Sequence, residues 1–396
     1  MDRSTQNEEQ TAPVSKRKKR EPEERCSWPH QLKRLPWLLL IPLGLLLPAF
    51  VRNHPEQVEA NYSRSIYPVI SRAVGAVSSK VPTSLAEILI VVTAALLALV
   101  LVIRILRVIF GKLRNRRRNR IRLFSFLITL GILAGVLLNL FYVMWGFNHF
   151  RKPASVLFDL DVRPRSKEEL VEAFEHLAQE AAELREQVAV DEKGIFTVGD
   201  PELSFNGAAA AFRALGSENE LFANTVYPAK RVIMSETLSE LNIAGIYIPY
   251  TAEANVNTDQ PDLFLPAGAA HELAHYMGFA REDEADFIAF YVSRFSNDAS
   301  LRYSSTMLAL NYCASELYKR DSKLFGELYE RLYTEGMRRD FADYSEYYKK
   351  YENEKAAKVN DKVNDTYLKY NGQQDGINSY GRMLDLLLAY YASGRS

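Results

Sequence analysis

His271-Glu272-Leu273-Ala274-His275 specifies a helix, a metal and a base within five residues. Positions i and i+4 lie on one face of an α-helix, so the two imidazoles converge on one point and Glu272 leans toward a water beside it. Two nitrogen donors so spaced suit Zn²⁺, and the adjoining carboxylate is the proton acceptor that a zinc-activated water needs. Downstream, Gly278 suits a left-handed helix end, and the acidic run from Glu282 suits the first turn of a second helix. Ala285, Ile288, Ala289 and Val292 recur at helical spacing and predict its buried face. Glu282 and Asp286, also i and i+4, share another face. Glu282 is therefore the expected third ligand, with Glu284 as the alternative. Asp286 is the expected acceptor for the spare ring N–H of a ligating histidine.

The same residues carry a resemblance. His271 to His275, followed by Glu282-Asp283-Glu284-Ala285-Asp286, resembles the gluzincin metallopeptidases. The longer set, Ala252-Glu253-Ala254-Asn255-Val256-Asn257 with the histidine helix and Gly278 to Ala285, is similar to domain-of-unknown-function family 3810. Those are bacterial membrane proteins with a few N-terminal spans and a C-terminal domain of this kind. The resemblance implies a gluzincin-like zinc metallopeptidase domain and brings no substrate with it. It also implies a downstream side chain on the oxyanion. No histidine follows His275, and Ser379-Tyr380-Gly381-Arg382 offers Tyr380 and Arg382. Six residues separate His275 from Glu282, fewer than in most gluzincins, so the second helix must fold back sharply at Gly278.

Working outward, the chain divides in two. Residues 1–34 form a basic tail, expected to be disordered and cytoplasmic. Residues 35–150 form a three-span membrane region, with spans expected at about 35–51, 85–106 and 123–147. The first is short and rich in proline, but no small-residue cleavage site follows it, so it is expected to be retained. Ser84 and Glu87 read as a capping box before the second. The basic loop 104–122 contains no acidic residue, which puts it and the N-terminus in the cytoplasm and the C-terminal domain outside a bacterial cell membrane. Its basic residues suit anionic lipid; no aromatic interleaving points to nucleic acid.

Residues 151–396 are the expected extracytoplasmic peptidase-like domain. They hold 27 Lys+Arg against 40 Asp+Glu, a net −13 that argues against nucleic acid as a partner. Cys26 and Cys313 are expected on opposite sides of the membrane, so no disulfide is expected. The pattern predicts a mainly α domain with a small β element (α+β). Ser166 to Val188 reads as a capped amphipathic helix, 196–205 as loop, Ala208 to Leu215 as helix, and the chain from Phe290 to about Tyr351 as helical. Ile243 to Tyr250 reads as a strand, and Pro249 suggests a sheet edge. Such an edge either holds an extended peptide or protein substrate across the metal or merely covers the core. Glu253, Asn255 and Asn257 either line the cleft or cap turns.

The expected activity is hydrolysis of peptide bonds, with Zn²⁺ on His271, His275 and Glu282 and with Glu272 as general base. The alternative is a catalytically inactive metal-binding membrane protein acting as a cell-envelope sensor or scaffold. A purely structural membrane protein would bind no metal at all.

Overall fold

The computed structural model describes residues 27–112, 115–351, 355–376 and 381–394. The expected tail up to residue 26, with Cys26, and Tyr380 lie outside the described residues. The described residues are mainly helical with a small sheet, 73% helix against 3% strand. Among the described residues, three helices are long and apolar enough to cross a membrane: Trp28–Val51, Leu85–Phe110 and Arg116–Met144. The first is longer than its apolar core at 35–51, because a serine-capped turn with Pro29 in its first positions precedes that core.

Two compact units are formed. One combines the chain up to Leu45 with Thr93–Asn139. Inside it, Asn139 donates to the Leu40 carbonyl at 2.7 Å, and Arg34 reaches Ser125 and Thr129 at 2.9 and 2.7 Å. These bonds satisfy polar groups among apolar helices, where an unmet donor is expensive.

The other unit combines Leu46–Val92 with Leu140–Ser396. The longer α-helices lying wholly inside it are α1 (Tyr67–Ser78), α2 (Lys167–Arg185), α3 (Pro201–Glu218), α4 (Leu265–Tyr276), α5 (Glu282–Ser293), α6 (Ala299–Arg320), α7 (Ser322–Leu332), α8 (Glu335–Tyr351), α9 (Lys355–Tyr370) and α10 (Met383–Ala392). Helix α2 begins with the expected capping box, Ser166 and Glu169 bonding each other's backbone N–H. Helix α3 begins within the stretch read as loop. Asp200 accepts the Glu202 N–H at 3.1 Å and Pro201 fits the first helical position, so the helix starts at residue 201. At Ser84 only half of the expected box forms. The Ser84 hydroxyl takes the Glu87 N–H, but the Glu87 carboxylate accepts from Ile233 and Met234 at 2.8 and 2.7 Å instead.

Three short strands, β1 (Lys230–Arg231), β2 (Gly245–Ile248) and β3 (Glu253–Val256), lie in the order β1-β3-β2. Strand β1 runs parallel to β3, while β2 runs antiparallel to it, with Gly245 opposite Val256 and Ile248 opposite Glu253. The 243–250 segment is thus an edge strand, and the polar block after it is the central one. Glu253 is buried and spends its carboxylate inside the fold. It accepts from the Leu85 and Ala86 N–H groups at 3.1 and 2.7 Å and pairs with Lys230 at 2.5 Å. Asn255 donates to Ile246 O, and Asn257 both caps a turn at Asp259 and binds Ser239.

Candidate metal centre

Helix α4 carries the two histidines because its sequence is alanine-rich, with Pro266 among its first residues, and because almost every one of its side chains is buried. It stops at Gly278, whose φ of +87° is costly for other residues. The Phe279 N–H then closes back on Ala274 O at 3.1 Å and Gly278 N–H on His275 O at 2.9 Å, ending the helix sharply. Helix α5 starts four residues later. Ala285, Ile288, Ala289 and Val292 are fully buried on it, the face expected from their spacing.

This reversal brings His271, His275 and Glu282 together, with one ligand atom from each lying within 4.8 Å of the others. Both Nε2 atoms face the same carboxylate oxygen, Glu282 Oε2, at 3.2 Å from His271 and 3.5 Å from His275. The other ring nitrogens are already engaged. His271 Nδ1 lies 2.6 Å from Asp286 Oδ1, and His275 Nδ1 donates to Phe279 O at 2.7 Å. Tyr312 donates to Asp286 Oδ2, so the carboxylate that orients His271 is itself held. Glu284 is turned elsewhere. It accepts the Ala154 N–H at 2.9 Å and pairs with Arg281 at 3.3 Å.

Electrostatics follow from this crowding. Burial would lower both histidine pKa values. For His271 the charge and hydrogen bond of Asp286 reverse that, and for His275 those of Glu282 do, so both rise. Burial alone would raise Glu282, but the two imidazoles hold it well below the ordinary carboxylate range. Glu272 differs. Burial pushes it up to about 7, against the pull of both histidines. Its Oε2 is buried with no hydrogen-bond partner among the described residues. Its Oε1 lies against Gly245 of β2, so closely that a Cβ there would sit 2.6 Å away.

Several residues that brace this centre come from far upstream. Trp145 donates its indole N–H to His275 O at 3.0 Å, and Tyr67 donates to Tyr276 O at 2.7 Å. Arg151 donates to Gly278 O at 3.0 Å, stacks on Phe279, and is paired with buried Glu59 at 2.8 Å. Buried His149 lies 2.8 Å from the Tyr367 hydroxyl, and the Glu282 charge reaches both residues. Burial lowers His149 to about 3, so its ring is neutral, and burial holds the Tyr367 phenol protonated. His149 stands far upstream of His275, where no histidine motif marks it. The signal available was the aromatic run Trp145-Gly146-Phe147-Asn148-His149-Phe150 closing the third apolar segment. Of the two residues expected at the oxyanion, Arg382 pairs with Asp375 at 3.0 Å and lies 3.5 Å from Asp283.

The chain matches the family described as a protein of unknown function (DUF3810) over residues 62–388, and it belongs to that family. No curated protein and no solved structure matches it.

Proposed function

We propose that this member of a family of unassigned activity is a membrane-anchored zinc metallopeptidase, with Glu272 as general base. One observation carries the reading: two imidazole Nε2 atoms face one carboxylate oxygen while both Nδ1 atoms are already committed. The donor set fits a metal. The Phe279 carbonyl can only accept, so His275 carries a proton on Nδ1, and its neutral form turns a lone pair toward Glu282. Asp286 favours the same tautomer of His271. With both imidazoles in the neutral form that ligation requires, the carboxylates of Glu282 and Asp286 leave negative charge that a divalent cation would balance.

His271, His275 and Glu282 would hold the ion; Zn²⁺ there would acidify a water and polarise the scissile carbonyl. Glu272 takes a proton from the attacking water and hands it to the leaving amide nitrogen. Burial holds this carboxyl above the ordinary carboxylate range, which favours its taking a proton. The substrate peptide extends along β2, the edge strand against Glu272, where main-chain groups supply affinity. We assign the oxyanion donor to Tyr367 in preference to Tyr380 and Arg382. With His149 Nε2–H donating to the phenol oxygen, the phenol proton is left available for donation to a substrate oxygen. The three apolar helices anchor the enzyme in a bacterial membrane with its N-terminus cytoplasmic and its C-terminal domain outside.

The test is Glu272→Gln in the purified full-length chain, offered a quenched-fluorescent peptide library. The variant keeps about one zinc per chain, as the wild type does, and hydrolysis falls by about 10²–10⁴-fold. Equal cleavage by both forms overturns the assignment. Zinc in both forms with cleavage by neither returns the sensor reading.

A further inference from the structure

Helix α9 presents two opposite faces. Ala357 and Leu368 are buried on its inner face. At 100° per residue, Val359, Val363, Thr366 and Tyr370 fall on the side turned directly away from them. That outer side is apolar and open, with Val359 63%, Val363 61% and Tyr370 39% exposed. An open groove runs along it, lined by Lys358, Val359, Lys362, Val363, Thr366, Tyr367 and Tyr370. Lys355, Lys358, Lys362 and Lys369 all fall on one flank of the stripe, the last of them paired with Asp365 at 2.7 Å. A helix that turns valines outward beside a row of lysines has the pattern of one lying in a lipid interface, its apolar face sunk among acyl chains and its amines at the headgroups.

The far end of α9 shows where that interface is. Tyr142 donates to Asn371 Oδ1 at 3.2 Å, and Phe141 packs edge-on to Tyr367 with ring centroids 6.3 Å apart. Phe141 and Tyr142 belong to the last turn of the third apolar helix, Arg116–Met144. That turn is where a spanning helix meets the headgroup layer, and aromatic residues favour that depth. From the outward valines, the lysine flank and this tether, we infer that α9 is an in-plane helix that docks on the lipid surface, with preference for anionic headgroups. The docking itself rests on the three apolar helices being spans; only its consequence for substrate rests on the proposed peptidase reading. Since Tyr367 lines the groove with its ring and meets His149 with its hydroxyl, a docked α9 would present a bilayer-proximal peptide segment to the metal centre.

The experiment uses the full chain, with Cys26→Ser and Cys313→Ser, in nanodiscs of phosphatidylcholine with or without phosphatidylglycerol. A fluorophore sensitive to polarity is attached at Val363→Cys or, as control, at Lys323→Cys on α7, whose side chain is 89% exposed. Nitroxide on the lipid chains is expected to quench the probe at 363 and spare the one at 323, while aqueous iodide does the reverse. Lys358→Glu with Lys362→Glu is expected to reduce the lipid quenching, most in the anionic discs. Equal iodide access at both positions overturns the inference. So does protection at 363 that persists in detergent and scales with protein concentration, since a second copy then covers the stripe. Failure of either span reading shows separately, as a chain that does not enter the discs.

Discussion

Alanine at Gly245 puts a methyl group where the general base stands. A Cβ there lies 2.6 Å from Glu272 Oε1, 2.8 Å from its Cγ and 2.9 Å from its Cδ. Non-bonded carbons rest at about 3.5–4.0 Å, so the carboxylate has to retreat by roughly 0.7 Å or more. Gly245 is outside the left-handed backbone region, so alanine adds no torsional cost and the whole effect falls on Glu272. A misplacement of about 1 Å at a catalytic group costs about 10²-fold in rate, equivalent to about 2.7 kcal/mol of barrier. Overpacking the site costs about 1–3 kcal/mol of stability, a fall in Tm of several degrees for a domain of this size. The three atoms nearest the new methyl all belong to Glu272, so zinc content is expected to stay at the wild-type level. Gly268→Ala on α4 is the matched control. Among the described residues nothing outside its own helix turn lies within 4 Å of its added methyl, and alanine in a helix interior gains up to about 1 kcal/mol. The assay is turnover of the best library peptide by both variants, with zinc measured on the same samples. Wild-type turnover by Gly245→Ala would refute the placement of Glu272 as the base.

Other consequences are independent of that one. Asp286→Ala releases His271 from the acceptor at 2.6 Å, and zinc affinity is expected to fall by about 10–100-fold in competition with a chromophoric chelator. An unchanged affinity would remove Asp286 from that role. Tyr367→Phe is expected to lower kcat by about 10²-fold at unchanged zinc content; equal kcat would return the oxyanion to another donor. Glu59 makes acid stability testable. Burial raises its pKa, but the hydrogen bonds and charges of Arg151 and Arg64 outweigh that and hold it below the ordinary value. Its contribution is therefore present above the unfolded carboxylate pKa and lost as pH falls through the folded one. Thermal melts from pH 7 to pH 3 should show a steeper acid loss in the wild type than in Glu59→Gln. At pH 7 the variant should be less stable by about 3 kcal/mol, since Arg151 is left buried with its carboxylate partner gone. Parallel acid limbs would show that the pair carries no linkage.

The legible parts of the centre are the local ones. The periodicity of α4, the φ-permissive Gly278 and the i, i+4 pair Glu282 and Asp286 are all contained within sixteen consecutive residues. Helical spacing pairs the residues within each helix, and the turn at Gly278 brings the two helices together. Strand β3 was hidden because Glu253 and Asn255 look like loop residues. They are tolerated in a central strand only because Lys230, the first turn of an apolar helix and Ile246 O satisfy them, partners remote in sequence or across the sheet. Trp145, His149, Arg151 and Tyr67 were hidden for the same reason. Each reaches the end of α4 or its surroundings from more than a hundred residues upstream, and no local pattern encodes such a contact. The start of α3 is a different case. Asp200-Pro201 was an available helix-start signal, and the composition of the preceding turn masked it.

Zinc content of the purified full-length chain, compared with His271→Ala, Glu282→Ala and Glu284→Gln, bears most directly on the central claim. Glutamine at 284 keeps an acceptor for the Ala154 N–H, so that variant isolates the carboxylate charge. The account predicts about one zinc per chain in the wild type and in Glu284→Gln, and none in the other two. A folded wild-type protein that takes up no zinc when supplied with it, or zinc kept by Glu282→Ala and lost by Glu284→Gln, would contradict it.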